Sequence, residues 1–219
     1  NESRCLERKI IMVALRERQK TERHRRIVGA AASLFAEVGY EQASMEAIAE
    51  RAEVSKGTIY NYYQNKGDLL LAIVTMEAKD TYEIGQSIIE DERISPKKAI
   101  LDLIDIYVGE PMKLMDKETW RRAIAMSILQ PESSFGQQYA EMDRKLGIQL
   151  VELILTLRSR GCFADVPDLP ALAEVLFNNV NMMFTLFMTD DTMSLEKLRN
   201  TLARQTIAVL DSCAGGAGL

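Results

Sequence analysis

"GYEQASMEAIAERAEVSKGTIYNYYQNKGDLL", residues 39–70, holds two short apolar-periodic segments with only a few residues between them. In the first, Met45, Ile48, Ala49 and Ala52 recur at helical spacing behind Ser44, a residue type that caps helix N-termini. Ala47 stands where a capping box would carry Glu. The second, "SKGTIYNYY", opens with Ser55 as the next cap. Two short helices joined this tightly are the sequence form of a helix-turn-helix. The tyrosines add a packing problem. Neighbouring helical positions lie about 100° apart, so Tyr60, Tyr62 and Tyr63 cannot all enter one core, which leaves at least one phenol for a partner outside the chain.

Working outward, the pattern is helical nearly throughout, without strand-like alternation. Upstream, Ile27, Ala31, Leu34, Phe35 and Val38 mark a first helix, and Gly39 falls where a left-handed C-cap belongs. Downstream, a fourth helix starts near Asn65 and runs to about Glu90. Later helices follow Ser95 and Pro96, then Pro111, then Ser133 and Ser134, the last being apolar on nearly every face from Leu146 to Leu157 and ended by Gly161. "ALAEVLFNNVNMMFTLFM" and "SLEKLRNTLARQTIAVLDSC" form a closing pair. The spacing divides the chain into a basic, partly disordered arm (1–19), a helix-turn-helix domain (20–70), a larger helical domain (71–213) and a disordered tail (214–219).

Composition narrows the function. The chain has 219 residues, 47% hydrophobic and 27% charged, as ordinary globular proteins do. No uncharged apolar run reaches the length of a membrane span, and the patch from Ile10 to Leu15 is too short for a signal-peptide core, so a cytoplasmic protein with no membrane partner is expected. Three scattered cysteines and one histidine, His24, leave no histidine-built zinc site and no catalytic constellation, so neither an enzyme nor a cofactor is expected. Charge is uneven: residues 1–26 hold nine Lys and Arg against four Glu, on a chain of net charge −5. A positive head on a negative body suits a protein that meets a polyanion at one end.

Residues 39–70 closely resemble the DNA-binding domain of the tetracycline-repressor (TetR) family of bacterial regulators. The resemblance is carried by Gly39, Tyr40, Ala43, Ser44, Met45, Ile48, Ala49, Ala52, Val54, Ser55, Gly57, Thr58, Ile59, Tyr60, Tyr63, Lys66 and Leu69. Glu53 departs from the family at a turn position that often has Gly, and Tyr62 where His is commonest. The resemblance implies an all-α protein with an N-terminal three-helix helix-turn-helix domain and a C-terminal helical ligand-binding and dimerisation domain. DNA would be met by Arg25, by Ser44 and Ser55 at the helix N-termini, by Lys56, Gly57, Thr58, Tyr60, Asn61 and Tyr62, and by Lys66 on a second phosphate run. Tyr63 is expected to pack inward, as is Ile59.

In the larger domain the residues say less. Nine of the eleven methionines follow residue 75 and suit either a core or an adaptable apolar pocket. Pocket candidates are Tyr107, Met115, Trp120, Ile124, Ile128, Tyr139, Met142, Phe177 and Asn181. The stripes Leu172, Leu176, Val180, Phe184, Phe187 and Leu198, Leu202, Val209 serve equally as core or as interface, and the family resemblance favours a homodimer. The expectation is a ligand-responsive transcriptional repressor that binds a palindromic operator in double-stranded DNA and is released by a small apolar or amphipathic organic effector. The alternatives are a DNA-binding dimer without an effector, or an all-helical small-molecule-binding protein or enzyme.

Overall fold

The computed structural model describes residues 2–163 and 166–213, with the side chains of residues 2–11 and Val13 outside that description. The expected tail at 214–219 and the arm residues Arg4, Arg8 and Lys9 therefore lie outside the described residues or side chains. Among the described residues there are nine α-helices, one short 3₁₀ turn and no strand. The helices are α1 (Glu2–Gln42), α2 (Met45–Arg51), α3 (Lys56–Tyr62), α4 (Lys66–Glu90), α5 (Pro96–Gly109), α6 (Lys117–Leu129), α7 (Ser134–Ser159), α8 (Leu169–Thr189) and α9 (Leu195–Cys213), with the 3₁₀ turn at Glu110–Met112. Two compact units, 1–73 and 74–219, meet inside α4, between Ile73 and Val74.

In the first unit, α1 begins at Glu2. Residues 2–19 are thus helical, where the sequence reading expected a partly disordered arm. The helix breaks at Gly39, whose φ of 81° and ψ of 155° belong to a region essentially reserved for glycine. The positive φ agrees with the reading of Gly39, although the ψ is extended rather than left-handed helical. Ile27, Val28, Ala31, Leu34 and Phe35 of α1 form the core with Ile48 of α2, Ile59 of α3 and Leu69, Leu70 and Ile73 of α4. Val38, placed by its spacing on the inner face, is exposed. Arg51 bonds Ser33 at 3.0 Å and also Glu37, tying the end of α2 back to α1.

The second unit buries Ile100, Leu103 and Ile104 of α5, Trp120 of α6, Leu150, Leu153, Ile154 and Leu157 of α7, and one stripe each of α8 and α9. α7 packs along α8, and α9 lies against α5 and α8. By length and composition alone α8 could cross a membrane, although Glu174 interrupts its apolar run. Its Leu172, Leu176, Val180 and Phe187 are instead buried inside this unit. An all-round apolar stretch is what a buried helix carries, yet α7 leaves Ile148 and Leu155 exposed.

The turn after α2 explains the departure at Glu53. The N–H of Val54 donates to Ala49 O at 2.9 Å and the N–H of Glu53 to Glu50 O at 3.0 Å, the pair of bonds that closes a Schellman motif. The motif puts its C′ residue at positive φ, and Glu53 sits at 53°. Glycine takes that conformation without the Cβ penalty. Glu53→Gly is expected to stabilise the protein by roughly 0.5–1 kcal/mol, once the extra unfolded-chain entropy of glycine is subtracted. Urea denaturation midpoints of the two proteins at one pH check this.

Candidate nucleic-acid interface

Two serines set the geometry. Ser44 Oγ accepts from the N–H of Ala47 at 3.1 Å, and Ser55 Oγ accepts from the N–H of Thr58 at 3.1 Å and lies 2.8 Å from Thr58 Oγ1. Each cap satisfies one orphan donor and leaves other N–H groups of the first turn unpaired within the helix, where an anion is favoured. Ile59 is fully buried and fixes the rotation of α3. Lys56, Gly57, Tyr60 and Asn61 are then exposed, with Tyr60 at 46%. Gly57 and Asn61 point about 160° away from Ile59 around the helix axis. Thr58 and Tyr62 are half-buried at the flanks, and Arg25 is exposed on α1. Lys56 Nζ is 3.8 Å from Glu46 Oε1, an exposed and loose pair.

The other two aromatic and basic positions behave differently. Tyr63 is buried, and its hydroxyl lies 2.6 Å from His24 Nδ1, which couples the end of α3 to α1. Burial raises the Tyr63 pKa above the usual phenol range and lowers that of His24, so neutral forms of both are favoured. Lys66 was expected to meet phosphate. Its ammonium instead donates to Tyr40 O at 2.7 Å and Glu41 O at 2.9 Å and lies 4.8 Å from the centroid of the Tyr40 ring. These carbonyls close the end of α1, so at least two of the three Lys66 donors serve the fold. Sequence could not distinguish the two roles, because the acceptors lie some 25 residues away in the chain.

Residues 27–73 match the family model described as bacterial regulatory proteins, tetR family. This N-terminal segment is thus similar to the regulatory proteins of that family. The fatty acid metabolism regulator protein of Bacillus subtilis (strain 168) is 32% identical over 84 residues, covering 38% of this chain and 43% of that protein. The HTH-type transcriptional repressor KstR of Rhodococcus jostii (strain RHA1) is 43% identical over 56 residues, 26% of each chain. The chain thus covers less than half the length of these curated relatives. A candidate TetR-family transcriptional regulator from Mesorhizobium loti MAFF303099 has the same fold at 23% identity, with a TM-score of 0.68 over 88% of this chain and 96% of that one. The tetR family is one of regulators rather than enzymes.

In the second unit the residues expected to line a pocket divide between the core and the surface. Tyr107, Met115, Trp120 and Phe177 are core residues. Trp120 Nε1 donates to Pro111 O at 2.9 Å, and its ring meets Phe184 edge-on with centroids 5.5 Å apart. Ile124 is half-buried, and Ile128 is open to solvent at 70% exposure. Tyr139 stacks on Phe135, while Asn181 donates to both oxygens of Asp143 at 3.1 and 3.2 Å. Of the expected set only Met142 borders the groove described below.

The residues expected at a dimer interface lie mostly inside the single chain. Leu172, Leu176, Val180, Phe187, Leu198 and Leu202 are buried within the single chain, and Phe184 and Val209 are half-buried. A periodic apolar stripe identifies the inward face of a helix, and these helices turn that face to their own unit.

Gln149 and Glu77 are among the buried polar groups that the sequence reading missed. Gln149, fully buried, donates through Nε2 to Tyr82 O at 2.8 Å and accepts at Oε1 from the Tyr107 hydroxyl at 3.1 Å. Glu77, 5% exposed, has its carboxyl pushed up to about 7 by burial first, then by the nearby Asp80 and Glu110, with Lys113 opposing. Lys113 is itself bonded to both Glu110 oxygens at 2.7 Å. The folded state therefore holds the Glu77 proton more tightly than the unfolded chain, so stability falls as pH rises from the ordinary carboxyl range to about 7. Glu77→Gln is expected to remove that slope and stabilise the protein at pH 8 by on the order of 2–3 kcal/mol. Urea midpoints of both proteins from pH 5 to pH 8 test it; parallel curves would show that Glu77 stays ionised.

Proposed function

We propose that this protein is a cytoplasmic, homodimeric, DNA-binding transcriptional repressor that places α3 in the major groove of a near-palindromic operator and answers to a small organic effector. One observation carries the DNA half: α3 is held by Ile59 and the Ser55 cap so that Lys56, Gly57, Tyr60 and Asn61 form its open face. Gly57 supports the reading. A Cβ there would meet nothing closer than Ser55 Oγ at 3.9 Å, so the folded chain itself has room for a larger residue. Glycine inside a helix costs about 1 kcal/mol relative to alanine, and close approach of a nucleic-acid backbone is a reason to keep it. Ser44 and Ser55 place two helix N-termini for phosphates, while Tyr60 and Asn61 supply groups that can read base edges. The Rhodococcus relative, named a repressor, supports that sign of regulation.

Selection from random duplex DNA, followed by titration at several salt concentrations, tests this reading. A near-palindrome with half-sites about one helical turn (~34 Å) apart, or a multiple of it, is the expected product. Asn61→Ala or Tyr60→Phe should alter which sequences are preferred, at about 1–3 kcal/mol per lost base contact. Lys66→Ala, whose lysine bonds the Tyr40 and Glu41 carbonyls, should lower the melting temperature and leave the salt slope nearly unchanged. Failure to retain any duplex at low salt would overturn the proposal.

For the dimer, the exposed face of α8 replaces the buried stripe. Val175, Asn178, Met182 and Leu186 recur at i, i+3, i+7 and i+11, and the three apolar members are 57%, 60% and 45% exposed. A copy of the chain covering this face would remove apolar surface from water. The double variant Met182→Glu, Leu186→Glu should raise the dimer dissociation constant at least about 30-fold, the equivalent of roughly 2 kcal/mol. Sedimentation equilibrium reads it, and an unchanged mass distribution would place the interface elsewhere.

A further inference from the structure

A groove of about 560 Å³ opens on the second unit, between α4 and α7. That volume falls within the roughly 300–1,000 Å³ typical of small-molecule sites. Thr75, Ala78, Lys79 and Tyr82 of α4 form one wall, and Gln138, Glu141, Met142, Lys145, Leu146 and Ile148 of α7 form the other. We propose that this groove binds an amphipathic anion, its apolar part lying on Ala78, Met142, Leu146 and Ile148 and its acidic head taken by Lys79 and Lys145. The inference rests on the reading of this unit as the effector domain and names the chemistry of the effector.

The charges decide the sign of the head group. Among the described residues Glu141 is the only acid on the walls, and both its oxygens already accept from Arg144, at 2.8 Å from Nε and 2.8 Å from Nη2. Lys145 reaches the same carboxylate only at 3.8 Å, outside hydrogen-bond distance. Lys79 stands 3.6 Å from Glu83, one turn along its own helix, with both side chains largely exposed. Exposed pairs at such separations contribute little and are readily exchanged for a better acceptor. A carboxylate or phosphate head offers that acceptor, and its bonds to two ammonium groups are charge-assisted. A cationic head would meet two lysines and an acid already neutralised by arginine.

The floor is apolar and held in place from behind. Ile148 is half-exposed, an apolar surface left open to water at the groove. Behind Tyr82, the fully buried Gln149 donates to the Tyr82 carbonyl at 2.8 Å, and Gln86 Nε2 donates to the Tyr82 hydroxyl at 3.1 Å. Gly85 is needed for this arrangement, since a Cβ there would come within 2.4 Å of Gln149 Oε1. The amide so locks α4 to α7 at the spacing that leaves the groove open, and a site formed before the ligand arrives loses less entropy on binding.

Isothermal titration of the full chain, without DNA, with dodecanoate, dodecanol and dodecyltrimethylammonium below their aggregation concentrations tests the proposal. Dodecanoate is expected to bind about tenfold or more tighter than dodecanol, with dodecyltrimethylammonium weakest. The double variant Lys79→Glu, Lys145→Glu should erase the preference for dodecanoate and leave dodecanol unchanged. Ala78→Trp, which fills the groove, should abolish both, with helical content and melting temperature near wild type in each variant. Equal binding of the three probes, or a preference that survives the lysine changes, overturns the anion assignment; binding that survives Ala78→Trp overturns the groove. Operator affinity of the same variants is measured separately, so a protein that binds dodecanoate as stated but retains no DNA defeats the regulator reading and leaves this one standing.

Discussion

A seven-residue helix has no stability of its own in water, because the cost of its nucleus is not recovered over so few turns. α3 therefore exists only as far as its surroundings hold it, and the burial of Ile59, on a helix packed against α2, is the contact on which the arrangement depends. Ser55 supplies the cap at one end, and the Tyr63–His24 bond ties the other end to α1. With both ends and one face committed, Lys56, Gly57, Tyr60 and Asn61 have a single direction left to face. Recognition by a rigid helix requires this kind of over-determination, because a base-edge contact is lost with small rotations of the helix.

The same unit shows how one charged residue can be diverted from ligand to fold. Lys66 satisfies two carbonyls released where α1 breaks at Gly39, and it covers the Tyr40 ring. Unpaired backbone carbonyls near the end of a helix are costly to leave dry, and an ammonium with three donors is well matched to them. A positive side chain at the start of α4 thus stabilises the hinge between α1 and α2 directly, whatever it adds to phosphate binding.

In the second unit, buried polar groups do different jobs according to their partners. Gln149 is fully satisfied by Tyr82, Tyr107 and Gln86, so its burial adds specificity to the pairing of α4, α5 and α7. Thr81 and Thr206 carry buried hydroxyls with no hydrogen-bond partner among the described residues, and burial, then the nearby Asp80 and Glu110, favours the neutral form of Glu77. These sites reduce stability. The unit holds its shape through its apolar stripes, while the satisfied amide network selects among the ways in which those stripes could pack.

The helical segments, the capping serines, the helix-turn-helix and the inward Ile59 and Tyr63 were legible in the sequence, because each rests on contacts within a few residues or on a period that points one way. The Schellman turn at Glu53 was signalled by a departure from glycine. What the larger unit does with its apolar stripes was not legible, since a period of 3.6 identifies a helix's apolar face and leaves open whether its own chain or a second copy covers it. Leu176 and Leu202 proved to be core, and Met182 and Leu186 are left facing outward. The groove between α4 and α7, the Gln149 network and the capture of Lys66 by Tyr40 and Glu41 depend on residues far apart in the chain. Sequence by itself determined the local helices and the helix-turn-helix motif; tertiary structure decided which polar groups are spent on the fold and which remain available, because that depends on distances that only packing sets.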